Sequence, residues 1–210
     1  YYGGSGFEYV YDTKVDNAGD IYIGGQTNSP NNIATAGSFQ PAHSTGSILT
    51  DGYLVKFNPS GVRQWATYLG GAISPTVAND YIAGIGIDVN NNVVVSGDTY
   101  STDFPVTSCA YQTSFLGSED QFITVFASNG NIICSGYIGV GIATSPNNET
   151  TYGGGCIAVD GNFVYLTAQT YCSYPVTPGC YQSVCGGSLD AAVARLCIPC
   201  LLYTSPSPRD

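Results

Sequence analysis

Apolar positions come in short runs along this chain, each closed by residues that favour turns. The first four are YVYDTKVD (9–16), IYIGGQT (21–27), GYLVKFN (52–58) and VRQWATYLG (62–70). The connections NAG and PSG carry the Asn, Gly and Pro that tight antiparallel turns require. Four antiparallel strands are therefore predicted, with a long loop over 28–50 between the second and third. Further on, IGIDV (85–89) and NVVVSG (92–97) are apolar or small almost throughout. Strands of that kind are buried on both faces, as in a sheet sandwiched between two others.

The pattern is written three times. DIYIGGQT (20–27), NVVVSGDT (92–99) and FVYLTAQT (163–170) share one plan. Asp16, Asp88 and Asp160 are spaced by 72 residues, and Thr27, Thr99 and Thr170 by 72 and 71. Phe39-Gln40, Tyr111-Gln112 and Tyr181-Gln182 follow in each unit, and then Asp51, Asp120 and Asp190. A fixed period with landmarks in fixed order identifies a tandem array. The expected fold is all-β, a partial β-propeller of three four-stranded antiparallel blades over 1–67, 68–136 and 137–199. Gly84 and Gly86 in the second unit stand where the third has Cys156 and Ala158, small residues that leave room near a propeller axis. The first unit departs, with Asp12 and Lys14 at those positions.

Composition agrees with an all-β chain and narrows its partners. Charged residues are 10% of the total, hydrophobic residues are 43%, and there are 17 tyrosines and 27 glycines. Fifteen acidic against five basic residues give a formal charge of −10, which repels nucleic acid and anionic lipid surfaces. No apolar run approaches membrane-spanning length, so direct insertion is not expected.

On its motifs the chain resembles the bacterial β-propeller repeat known as SBBP. The resemblance rests on GVRQWATYLGG, DGYLVKFNPSG, TAGSFQ, FPVTSCAYQ and YPVTPGCYQ and covers roughly residues 1–196. Departures are YIGV (137–140) in place of a YLGG run, and a turn shortened to DGN in the third unit. The resemblance implies a bacterial protein, extracellular or at the cell surface, and attaches no catalytic residue to the repeat. Closure takes about four to eight blades, so the remaining blades of the same chain are expected as partners. The absence of Met and the start at Tyr1 fit a piece of a longer product. The tail CLLYTSPSPRD (200–210) resembles translated transposase adaptor from sequencing libraries and is expected to make no strand.

Candidate chemistry is sparse. His43, the lone histidine, would have to anchor any Ser-His-Asp triad; it lies in a long loop and is expected at the surface. Cys109, Cys172, Cys180 and Cys185 lie in loops and are expected to form disulfides, with connectivity open; Cys134 and Cys156 fall on predicted strands. Asp16, Asp88 and Asp160 are expected to cap their turns. Asp51, Asp120 and Asp190, repeated in every unit, are expected to tie blades together. Phe39, Tyr111 and Tyr181 are expected to peg the long loops to the blades. Paired carboxylates for glycoside cleavage are in thin supply, since Glu8, Glu119 and Glu149 are the only glutamates. NET (148–150) matches a glycosylation sequon, idle in a bacterial protein.

No metal or cofactor is implied. The expected function is non-enzymatic binding of a protein or glycan by a face crowded with long loops. A propeller-fold polysaccharide lyase or glycoside hydrolase is the rival, and an architectural spacer in an adhesin is a third reading. Acidic or basic residues meeting at one point on the loop face favour the enzyme; an uncharged face favours binding. The end units of a partial ring are expected to present apolar faces.

Overall fold

The computed structural model describes residues 1–45, 49–74, 79–117, 119–138, 156–170, 174, 176–184, 186–187 and 190–198. Eleven strands and no helical element are found among them. The first sheet comprises β1 (Glu8–Val15), β2 (Ile21–Thr27), β3 (Asp51–Phe57) and β4 (Arg63–Leu69). The second comprises β5 (Asp80–Ile87), β6 (Val93–Thr99), β7 (Asp120–Phe126) and β8 (Ile132–Ile138). In both, sequence neighbours pair antiparallel, in the order of the chain. The third sheet is β9 (Ile157–Asp160), β10 (Phe163–Thr170) and β11 (Asp190–Cys197). Among the described residues it has three strands where four were expected, and residues 199–210, which follow β11, lie outside the described set, the 200–210 tail with them. The unit boundaries drawn after 67 and 136 fall within β4 and β8.

The sheets stack like leaves in a propeller-like arrangement, with β5 lying against β1, β2 and β3 on one side and β9 on the other. One contiguous core joins Tyr22, Leu54, Trp65 and Leu69 of the first sheet to Ile82, Ile85, Val93, Val95 and Phe122 of the second. A second core joins Val94, Ile123, Val125 and Ile138 to Val164 and Leu166 of the third. Val93, Val94 and Val95 are thus all fully buried, on alternating sides. Each such side chain contributes roughly 1.5–3 kcal/mol on leaving water. The apolar run in β6 has its explanation there.

Repeated small residues have a steric cause. β1 and β5 each carry a bulge, at Val10/Asp12 and at Ile82/Gly84. The bulge pushes a carbonyl toward the neighbouring strand, so that a Cβ on Gly25 or Gly97 would lie 1.8 Å from Tyr9 O or Tyr81 O. On β5, Gly86 admits Val159 of β9, whose Cγ2 a Cβ would meet at 2.2 Å. Asp12, the first unit's counterpart of Gly84, accepts the Ile85 backbone N–H on its Oδ2 at 2.8 Å and ties the first two sheets at their inner strands. On another rim Trp65 Nε1 donates to Ser128 O at 2.9 Å, and Lys56 pairs with Asp20 at 2.8 Å.

The end sheets differ from expectation. The outer face of the first sheet is not bare: Tyr53, Val55, Ala66 and Tyr68 are buried with Ile33 of the long loop, and Tyr2 packs against them. The Tyr2 hydroxyl donates to Ile33 O at 2.9 Å, closing that cover. The third sheet does present one open face, where Val193 is 72% exposed and Phe163 and Tyr165 are half-buried.

Candidate functional site

The repeated aspartates divide by task. Asp16 Oδ1 accepts the amides of Ala18 and Asp20 at 2.9 and 3.0 Å, and Asp88 Oδ1 those of Asn90 and Asn92 at 2.8 Å. Asp160 precedes the turn at Gly161 that joins β9 to β10. Asp51, Asp120 and Asp190 open β3, β7 and β11 and act within their own sheets. Asp51 Oδ2 accepts from Ser44 N at 2.7 Å and Gln40 Nε2 at 3.3 Å. Asp120 Oδ2 does the same with Leu116 N at 2.7 Å and Gln112 Nε2 at 3.3 Å, and Asp190 Oδ2 accepts Gly186 N at 2.6 Å. They tether each long loop to its own strand rather than tying blades together. The reason is reach: each carboxylate sits where its loop re-enters the sheet.

The junction between sheets is held by a different acid, which the sequence reading passed over. Asp80 at the head of β5 accepts Gly71 N at 2.8 Å, Ser101 Oγ at 2.9 Å and the Thr99 hydroxyl. Glu8 occupies the same position one unit earlier and accepts Gly4 N at 3.3 Å, Thr27 Oγ1 at 3.0 Å and the Ser29 hydroxyl. The 72-residue spacing of Glu8 and Asp80 was the available signal. Burial pushes Asp80 up to about 7 despite those donors, with the charge of Asp51 adding to the rise.

The expected loop pegs need correction. Phe39 is half-buried and meets Phe126 at 6.1 Å, but Tyr111 is 59% exposed and Tyr181 fully so. The loop is held by its backbone instead. Tyr68 N donates to Gln40 O at 3.1 Å and Tyr137 N to Gln112 O at 3.0 Å, so each loop runs along the outermost strand and covers its edge. The packed residue lies about seven places earlier. Ile33 and Phe104 are buried, and Tyr174 packs on the second core. The FPVT and YPVT runs carried that signal.

His43 is also corrected: it is buried, not on the surface. Its Nδ1 accepts Thr45 N at 3.2 Å, which leaves Nε2 to donate to Thr27 O at 3.2 Å, and Tyr68 meets the ring edge-on at 5.5 Å. Ser44 and Asp51 lie beside it, but the Ser44 hydroxyl bonds Asp51 and Gly71 O rather than the imidazole. A triad needs the serine hydroxyl on the histidine and open to substrate. These side chains instead pin a loop.

Among the cysteines, Cys109 of the second loop is bonded to Cys134 of β8, with Cα atoms 5.8 Å apart. The partner is a strand cysteine rather than another loop cysteine, because the loop lies along β8. Cys180 is in no disulfide, and Cys172 and Cys185 lie outside the described residues, as do Glu149 and the sequon. Among the described residues no cluster of three His, Cys, Asp or Glu is placed to hold a metal ion, and no helix is long and apolar enough to cross a membrane.

A cleft of about 470 Å³ opens between the first two sheets, where the long loops leave and re-enter. Phe7, Tyr81 and Tyr100 supply aromatic walls; Gln26, Asn28 and Asn79 supply amides, with Leu49 and Thr50 completing the lining. Aromatic surface continues outside it, since Phe7 meets the exposed Tyr9 at 5.0 Å and Tyr81 meets Tyr11 at 5.6 Å. Asn28 Oδ1 accepts Phe7 N at 2.9 Å, and Asn79 Oδ1 accepts Thr50 N and Oγ1 at 3.3 and 3.2 Å. With both oxygens engaged, the Nδ2 amino groups are the donors that these two side chains have left. Among the described residues, no charged side chain lines the cleft.

Two carboxyls stand behind this wall. The Tyr81 hydroxyl donates to Asp98, and the Tyr100 hydroxyl bonds Glu119, so both rings are fixed from the inside. Burial holds Asp98 well above the usual carboxylate range and pushes Glu119 up to about 7. Comparison with protein-family models and with curated proteins finds no match to this chain.

Proposed function

We propose that the chain is a glycan-binding segment of a secreted or cell-surface β-propeller of the SBBP kind, and that the cleft between its first two sheets is the binding site. The observation that carries this reading is the lining: aromatic rings beside side-chain amides, with no charged side chain among the described residues. Sugar rings offer apolar C–H faces that stack on aromatics and hydroxyls that pair with amides, and such sites join apolar walls to a few placed polar groups. The Cys109–Cys134 disulfide supports an oxidising compartment. Further repeats of the same kind would cover the open face of the third sheet.

The rival hydrolase or lyase would draw on Asp98 and Glu119, which lie at the same end of the second sheet. Both are buried and neither lines the cleft, which favours binding over bond cleavage. Calorimetric titration with soluble neutral oligosaccharides tests the reading. Binding should occur without release of reducing ends, and Tyr81→Ala or Tyr100→Ala should weaken it by about tenfold or more, as for an aromatic anchor. Equal affinity in both variants would remove the cleft as the site.

A further inference from the structure

β1 carries more aromatic surface than its place in the fold requires. Phe7 stands just before the strand, and Tyr9 and Tyr11 follow at alternate positions. One unit later the same positions hold Asn79, Tyr81 and Ala83, and β5 forms there with the same bulge. The strand and its bulge thus need no aromatic side chain at two of the three. Phe7, Tyr9 and Tyr11 are nevertheless 40%, 53% and 48% exposed. Exposed apolar side chains are ordinary when scattered, but a contiguous group of them marks a contact surface.

The group borders the cleft. Tyr11 is the bulge residue, left unpaired between Val10–Gly25 and Asp12–Gly24. Bulges re-aim side chains and are common beside binding sites. Here the Tyr11 ring meets Tyr81 at 5.6 Å, and Tyr9 meets Phe7 at 5.0 Å. Phe7 and Tyr81 both line the cleft, so each outer ring touches a ring of its wall. We propose that Tyr9 and Tyr11 extend the cleft into a longer site, which stacks further units of a linear neutral polysaccharide. This rests on the reading of the cleft as a glycan site and specifies that a run of sugars is bound rather than a single one.

Size and charge both favour such an occupant. Alternate residues of a strand stand about 7 Å apart, so three rings span about 13 Å. That is more than one sugar ring covers. The acids within the row are committed to the protein. Glu8 accepts from Gly4 N and from the hydroxyls of Thr27 and Ser29, and Asp12 accepts from the backbone N–H groups of Thr13 and Ile85. Both carboxylates thus serve internal donors, and the row asks for no cation. Tyrosine rings beside the Gln26 and Asn28 amides suit a ligand that joins C–H faces to hydroxyls. A purely apolar ligand would leave those amides without partners.

The test is calorimetric titration of the full chain with β-1,4-linked glucose and N-acetylglucosamine oligomers, each as disaccharide and tetrasaccharide. In at least one series the tetrasaccharide should bind about tenfold or more tightly than the disaccharide, the scale of added aromatic contacts. In the double variant Tyr9→Ala, Tyr11→Ala that ratio should fall to about threefold or less, the statistical gain of a longer chain with more registers. Tyr9→Phe, Tyr11→Phe keeps the rings and should keep the ratio. Thermal unfolding checks that both variants fold. A ratio of about threefold or less in the unchanged chain, or a high ratio that survives in the folded alanine variant, would overturn the proposal and leave the glycan reading in place. Sedimentation without sugar covers the other occupant: self-association that the alanine variant abolishes would give the row to a second copy of the chain and overturn the proposal as well. Failure of every sugar to bind would overturn both readings.

Discussion

Gln40 Nε2 donates to Asp51 Oδ2 at 3.3 Å, which clips the two ends of the first long loop together at the head of β3. Gln112 and Asp120 make the same contact at the same distance in the second sheet. Two landmarks that recur in the sequence are thus partners in space, and the pair explains why a glutamine follows the aromatic in the first two units; in the third, Gln182 Nε2 donates to Val184 O instead. Without such clips the loop's polar backbone would leave the edge of β4 or β8 open.

Removing the clip should cost most where the acid is best buried. Asp51→Ala strands the Ser44 amide and hydroxyl along with Gln40, and should lower stability by about 2–3 kcal/mol in urea titrations. Asp190→Ala loses the bond from the exposed Gly186 and should cost under about 1 kcal/mol. A reversed order would show that burial of the acid does not set the cost.

Stability should fall as pH rises from about 4 to about 7. Asp80, Glu119 and Asp120 are each pushed up to about 7 by burial. In the unfolded chain such groups release their protons near pH 4. Between those values the folded state holds more protons than the unfolded state, so raising the pH favours unfolding; the contribution is complete below about 4 and gone above about 7. Urea midpoints at a series of pH values should trace that decline, and Asp80→Asn should flatten it. A midpoint that rises over this range would contradict the burial of these groups.

The Cys109–Cys134 bond closes a loop with a sequence separation of 25. Replacing both cysteines by alanine should cost about 3 kcal/mol through the freer unfolded chain. Denaturation with and without reductant gives the comparison, and the double variant should no longer respond to reductant.

Gly97 and Gly187 should respond oppositely to the same change. A Cβ at Gly97 would meet Tyr81 O at 1.8 Å, whereas one at Gly187 meets nothing within 4 Å. Gly97→Ala should destabilise by about 2 kcal/mol or more and loosen the wall of the cleft, since Tyr81 belongs to it. Gly187→Ala should stay within about 0.5 kcal/mol. Thermal unfolding of the two variants side by side is sufficient.

Strands, turns and the three-fold repeat were written in the chain itself. Alternation, apolar runs and turn chemistry act over a few residues, so β1 to β4 begin and end within a residue of where the pattern places them. Asp16 and Asp88 follow the same logic, because their partners lie two to four residues away. Contacts between distant segments were decided by the tertiary structure alone. Spacing does not say that Cys109 finds a strand cysteine, that His43 goes inside, or that Ile33 and Phe104 rather than Tyr111 and Tyr181 pack the loops. Each depends on the loop lying along the outer strand, a choice made by edge hydrogen bonds and not by any local pattern. The cleft is the extreme case: Phe7, Gln26, Thr50, Tyr81 and Tyr100 meet only because two sheets stack face to face, and burial of apolar surface between them sets that geometry.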